Sequence, residues 1–240
     1  MTTTTQTTAI TPDRNAVAAI LVNANGALTE AQTLELLTAY SIQVPRFKIV
    51  NGIDEALEAA KGLHYPLVMK IISPDISHKS DVKGVILGIR DRRDLQDAWS
   101  QMMLDISDDE PHASIEGFLL EEMVPRGIEV IVGAVRDKQF GPAVMFGVGG
   151  IEVELLRDVS FRLAPVSREE AFEMMNEVKG IGLLTGWRGG GIRDFDAVVN
   201  AIMRISDIIC DNDRITEIEI NPLIVFHEGA VAVDGRTTLK

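Results

Sequence analysis

The spacing of apolar positions alternates between helical and strand periods as far as Pro125 and then turns β-rich. Thr29 and Gln32 have the form of a capping box, and Ala31, Leu34 and Leu37 recur at helical spacing, which predicts a first helix. Pro45 opens a short strand, Arg46 to Val50. Asp54 can cap a second helix reaching to about Leu63, and Pro66 then leads the apolar strand Pro66-Leu-Val-Met-Lys-Ile-Ile72. A third helix is expected from about Arg93 to Ser107, followed by the acidic loop Asp108-Asp-Glu-Pro111 and a strand from Phe118 to Val124. Helices alternating with strands define an α/β lobe.

Beyond Pro125, Ile128 to Val135 and Ala143 to Val148 are strand-like runs joined by Asp137-Lys-Gln-Phe-Gly-Pro142, which reads as a hairpin turn. A short strand lies near Arg162, helices are expected from about Arg168 to Lys179 and from about Phe195 to Cys210, and a last strand pair spans Ile215 to Asp234. The organisation that follows is a lead-in segment, residues 1–26, a first lobe, 27–125, and a second lobe, 126–240. The fold class is α/β (α+β), two lobes with a cleft of the kind that holds nucleotides.

Composition narrows the function classes. The chain has 46% apolar and 25% charged residues, an ordinary globular balance, and its net charge of -13 argues against nucleic-acid binding. A bound phosphate would need local groups and a cation. The single cysteine, Cys210, falls in an apolar helical pattern with Ile205, Ile208 and Ile209, so no internal disulfide forms and a cytoplasmic setting fits. Met1 to Pro12 is a Thr-rich tail expected to be disordered, with no Lys or Arg before Arg14 as a secretory signal would have. The run Ala16 to Val22 is too short to span a bilayer, so no membrane role is expected.

Three stretches carry candidate chemistry. In Ile215-Thr-Glu-Ile-Glu-Ile-Asn-Pro222, Ile218 and Ile220 point one way and Glu217, Glu219 and Asn221 the other. With a two-residue turn in His227-Glu-Gly-Ala230, Leu223 pairs with Asp234, and Glu219, Asn221 and Asp234 share a face suited to Mg²⁺, which takes one or two carboxylates. The alternative is the solvated face of an edge strand. Lys70, in an apolar strand, either meets an anion or runs out to solvent. After it comes the polar loop Ser73-Pro-Asp-Ile-Ser-His-Lys-Ser-Asp-Val-Lys-Gly84, where His78 is either a surface residue or a nucleophile, since neutral imidazole is available near neutral pH. The glycines of Phe146-Gly-Val-Gly-Gly150 serve either a turn or a close approach to ligand, and Glu154, Arg157, Asp158 and Arg162 are either exposed charges or phosphate neighbours. His64 and His112 lack supporting context, and His227 falls at the turn.

In order along the chain, Pro66-Leu-Val-Met-Lys70, Ser73-Pro-Asp-Ile-Ser-His-Lys-Ser-Asp-Val82, Glu121-Glu-Met-Val124, Phe146-Gly-Val-Gly-Gly-Ile151 and Glu219-Ile-Asn-Pro222 resemble the ATP-grasp β-subunits of ADP-forming acetyl-CoA synthetases. The resemblance runs from about residue 27 to the C-terminus, and its most specific element is Ser-His-Lys-Ser-Asp-Val. It implies an ATP-grasp fold, with His78 as phosphohistidine, Lys70 at the ATP phosphates, and Glu121, Glu122, Met123 and Val124 around adenine and ribose. Glu129, Gly149 and Arg162 would border the nucleotide, and Asn221 and Asp234, with Glu219, would hold Mg²⁺. ATP or ADP would be the nucleotide. A CoA-binding α-subunit would handle acyl-CoA, phosphate and carboxylate in an α2β2 heterotetramer. Lys83 departs from the family's frequent glycine. The other readings are a generic ATP-grasp carboxylate ligase, a succinyl-CoA synthetase-like subunit and a non-catalytic ATP-sensing subunit.

Overall fold

The computed structural model describes residues 11–22, 24–76, 79, 82–149 and 158–240. The expected tail up to residue 10, His78, and Glu154 and Arg157 lie outside the described residues.

Two antiparallel sheets organise the chain. The first has four strands, β1 (Phe47–Val50), β2 (Leu67–Ile72), β3 (Val85–Ile89) and β4 (Gly117–Glu122), in the order β1-β4-β2-β3. Helices α3 (Ile53–Ala59) and α4 (Arg92–Asp109) accompany it, and Leu67, Met69, Ile71, Leu95, Met102 and Leu120 form its core. β2 is buried at every position, so its apolar run is the central strand that its sequence predicts. The second helix starts from Gly52, and Asp54, expected as its cap, sits in the first turn instead. There its charge meets the positive end of the helix. β3 was not foreseen, because Gly88 interrupts its apolar alternation.

The second sheet runs β10-β8-β5-β6-β7, with β9 beside the far half of β8. Its strands are β5 (Ile128–Asp137), β6 (Gly141–Val148), β7 (Val159–Leu163), β8 (Ile215–Val225), β9 (Ala230–Ala232) and β10 (Gly235–Leu239). The β5–β6 hairpin forms where the sequence places it, closed by the Asp137 carboxylate, which accepts from the Gln139 and Phe140 amides. Helices α5 (Arg168–Glu177) and α6 (Phe195–Asp211) cover one face.

Two N-terminal helices complete this second core. α1 (Arg14–Leu21) is capped by Asp13, and α2 (Glu30–Ala39) carries the expected capping box of Thr29 and Gln32. The sequence reading put α2 with the first lobe. Its buried residues, Ala31, Leu34, Leu36 and Leu37, instead join the cluster of Phe146, Ile202 and Ile218. Backbone bonds fix that placement: the Leu28 amide donates to the Thr237 carbonyl at 2.9 Å, and Ala27 bridges Thr238. The chain therefore enters through the second core, leaves to build the first sheet, and returns.

Candidate functional site

Where the two sheets meet, a charged cluster lies buried. Lys70 is at the middle of β2 and only 6% exposed. Its ammonium donates to Glu30 Oε1 at 2.7 Å and to the Val233 carbonyl at 2.7 Å, and it stands 2.8 Å from Glu121 Oε1. An ammonium has three protons, so each has an acceptor. The partners come from three places: Glu30 from the first turn of α2, Glu121 from β4, and Val233 from the segment between β9 and β10. Lys70 thus joins the first sheet to the elements of the second core. Lys79 adds a second ammonium, paired with Glu30 Oε2.

Burial and charge pull these groups in opposite directions. Burial works to lower the Lys70 pKa, yet Glu30, Glu121 and Asp234 hold it above the usual lysine value. Burial works to raise Glu30, but Lys70 and Lys79 together keep it below the usual carboxylate range. Glu121 goes the other way: burial pushes it up to about 7 against the pull of Lys70, and its Oε2 has no hydrogen-bond partner. Asp234 is raised to about 6, by burial first and by Glu30 second. Three carboxylates face two ammonium groups, which leaves the cluster short of positive charge.

The acidic strand β8 lies alongside. The final turn centres on His227 and Glu228, one residue earlier than expected: the Phe226 amide donates to the Gly229 carbonyl, and Val225 pairs with Ala230. Gly229, at φ 79°, supplies the left-handed residue that such a turn needs. Leu223 consequently pairs with Ala232 rather than Asp234. The slip is an even number of residues, so every side chain keeps its face. It brings Asn221 directly opposite Asp234, the Asn221 amide donating to the Asp234 carbonyl at 3.2 Å, and sets Glu219 against Arg236.

Among the described residues, no three His, Cys, Asp or Glu side chains converge into a ready metal cage. Asp234, Asn221 and Glu219 nonetheless fit an Mg²⁺ site completed by water and phosphate oxygens. The observation behind that fit is the Asp234 carboxyl, buried and raised by burial and by Glu30 despite the pull of Lys70 and Lys79.

The remaining sequence candidates separate. Glu122 alternates with Glu121 and points away, accepting from the His64 amide and facing Arg46. His64, given no role from sequence, is thereby a partner of Glu122 at the end of β4. Met123 is exposed, and its amide donates to the Pro66 carbonyl, which ties the end of β4 to the start of β2, with Val124 next to it. Glu129 is exposed on β5, its carbonyl accepting from Gly149, whose φ of 110° excludes most other residues. Arg162 is not brought to the cluster. It pairs with Val144 on the helix-covered face, is bound by Glu177, and stands on the opposite side of the sheet from Glu219, which lines up with Gly133, Met145 and Phe161.

The loop after β2 is anchored at its base. The Gly84 amide donates to the Lys79 carbonyl at 2.7 Å, and the Gly84 carbonyl accepts from Ile71 at 2.9 Å. A Cβ at Gly84 would lie 2.6 Å from Ile71 Cγ2. Lys83 has φ 54°, the left-handed region where glycine is at ease, and Asp105 holds its ammonium at 3.2 Å. The departure from the family's glycine is therefore a left-handed lysine.

The fold and this cluster fit one class, and comparison with known proteins agrees. The chain belongs to the ATP-grasp family, whose description as an ATP-grasp domain matches residues 19–239. Within it, the chain is 42% identical over 215 residues to the beta subunit of ADP-forming acetate–CoA ligase I of Pyrococcus furiosus, covering 90% of this chain and 93% of that one. It is 43% identical over 219 residues to the ADP-forming acetate–CoA ligase I of Archaeoglobus fulgidus, covering 91% of this chain but only 32% of that one. The chain thus spans about a third of that longer relative. Among solved structures, dinucleotide-forming acetyl-coenzyme A synthetase 1 of Ca. Korarchaeum cryptofilum, in complex with coenzyme A, Ca-AMPCP and HgCl+, superposes with a TM-score of 0.90 at 38% identity, covering 95% of this chain and 99% of that one. A second structure of that synthetase, with Mg-AMPPCP and its phosphohistidine segment pointing towards the nucleotide binding site, gives 0.82 at 36% identity with the same coverage.

Proposed function

We propose that this chain is the nucleotide-binding β-subunit of an ADP-forming acetate–CoA type ligase, relaying a phosphoryl group through His78. The observation that carries it is the buried Lys70 cluster at the junction of the two sheets, with Lys79, the neighbour of His78, bound to the same cluster. The Pyrococcus relative is named as such a subunit, and the Korarchaeum synthetase has a phosphohistidine segment.

Acyl-CoA and phosphate react on a CoA-binding α-subunit, releasing CoA and forming an acyl phosphate. The lone pair of neutral His78 imidazole forms an N–P bond as the O–P bond of the acyl phosphate breaks and its electron pair leaves with the carboxylate. A β-phosphate oxygen of ADP then attacks phosphorus, the N–P bond breaks, its electrons return to imidazole, and ATP forms. All steps are reversible. Positioning and charge neutralisation dominate such transfers. Lys70 lies at the ATP phosphates, while Glu121, Met123 and Val124 border adenine and ribose with Glu129 and Gly149 nearby. Asn221, Asp234 and Glu219 would hold Mg²⁺, which would supply neutralisation of the phosphate charge. The complex is α2β2 and cytoplasmic. No helix among the described residues is long and apolar enough to cross a membrane.

Incubating the chain with γ-labelled ATP and Mg²⁺ tests the relay. Wild-type protein acquires acid-labile phosphate and the His78→Ala variant does not. Equal labelling of both overturns it, and CoA release from a panel of acyl-CoAs in the reconstituted complex identifies the substrate.

A further inference from the structure

Glu30 has no place in the sequence reading, yet the geometry gives it a specific one. At the first turn of a helix, a glutamate ordinarily faces water and complements the helix dipole. Glu30 is instead 6% exposed, and its two oxygens are divided between two cations: Oε1 accepts from Lys70 at 2.7 Å, and Oε2 pairs with Lys79. Lys70 belongs to the rigid centre of the first sheet, whereas Lys79 belongs to the loop that carries His78. One buried carboxylate therefore joins a fixed point to the residue next to the phosphoryl carrier.

The same loop is held from a second side. The Gly84 amide binds the Lys79 carbonyl at 2.7 Å, so Lys79 is tied through both its backbone and its ammonium. Lys70 would keep Glu121 and the Val233 carbonyl as acceptors without Glu30, whereas the Glu30 carboxylate is the one ion-pair partner recorded for Lys79 among the described residues. Loss of the carboxylate thus frees Lys79 more than it disturbs Lys70.

We infer that Glu30 is a positioning residue for phosphoryl transfer, docking the histidine-bearing loop beside Lys70 through Lys79. The inference rests on the relay proposed above. Its effect is on placement: the attacking imidazole and the γ-phosphorus must meet in line, and a misplacement of about 1 Å can cost roughly 100-fold in rate.

The test is a double-mutant cycle on the full chain with Glu30→Gln, Lys79→Met and both together. Rates of acid-labile labelling from γ-labelled ATP are measured beside the KM for ATP and the melting temperature. Each single variant should slow labelling by about 10-fold to 100-fold, with less than about 3-fold change in KM, and the double variant should be no slower than the slower single one. Glu30→Asp, which keeps the charge, should recover part of the rate. Lys79 is less buried than Glu30, so Lys79→Met tests the contact even where Glu30→Gln lowers the melting temperature. Labelling of Lys79→Met at the wild-type rate overturns the inference, as do multiplicative effects of the two substitutions. Wild-type protein that binds ATP without acquiring phosphate removes the relay itself.

Discussion

Glu121 sets a measurable proton linkage. Its carboxyl is raised from the usual 4.5 to about 7, chiefly by burial, with Lys70 opposing and Glu30 and Asp234 assisting. In the unfolded chain it ionises near its ordinary value. Between these limits the folded protein holds a proton that the unfolded chain has lost, so stability falls as pH rises. The contribution is complete below about pH 4.5 and lost once pH has passed about 7. At about 1.4 kcal/mol for each pH unit, the window withdraws about 3 kcal/mol. Glu121→Gln keeps the shape and an oxygen for Lys70 but cannot titrate. Urea unfolding from pH 4.5 to pH 8 should therefore show the variant gaining on wild type by about 3 kcal/mol across the window. The unfavourable baseline of placing an amide NH₂ where Oε2 has no partner is common to all pH values and drops out of the slope. Parallel stability curves for the two proteins would refute the buried, proton-holding Glu121.

Three further outcomes are expected. Gly84→Ala forces a methyl against Ile71 and should lower stability by about 1–3 kcal/mol, seen as a reduced urea midpoint, while moving the Lys79 anchor and slowing labelling. Asp234→Asn should raise the Mg²⁺ concentration needed for half-maximal labelling by roughly 10-fold to 100-fold, and an unchanged Mg²⁺ titration would remove Asp234 from the metal site. Phe146, fully buried between β6 and the helices, should cost about 3–5 kcal/mol on replacement by alanine, measured by the same urea unfolding.

Local signals carried much of the fold. The Thr29–Gln32 box, the apolar β2 and the Asp137 turn are interactions among neighbours in sequence, and each formed as its pattern required. α1 gave too short an apolar run to register, and β10 carries adjacent threonines, Thr237 and Thr238, whose partners lie on β8. For the site, Lys70 was legible because a charge in an apolar strand calls for an anion. Strand parity put Glu219 and Asn221 on one face, although the turn was centred one residue off, and parity survives an even slip. Glu30 was invisible, since its partner lies 40 residues away and its position looks like ordinary dipole compensation. The distance of Arg162 from the cluster was illegible for a related reason: sequence fixes that it alternates with Phe161, but not which face the helices cover.

The contact between Leu28 and Thr237 also sets an order of events during synthesis. The four strands of the first sheet and their two helices have all been synthesised by Glu122, and can close on their own core once they emerge. The two helices made before them belong to the second core and lack their β10 partner until that strand emerges. The Glu30 carboxylate reaches Lys70 in its final setting only after Val233 arrives, so the charged junction is assembled last. A ribosome stalled short of Gly235 would hold a finished first sheet with Leu34 and Leu37 still exposed, a surface for chaperones rather than for nucleotide.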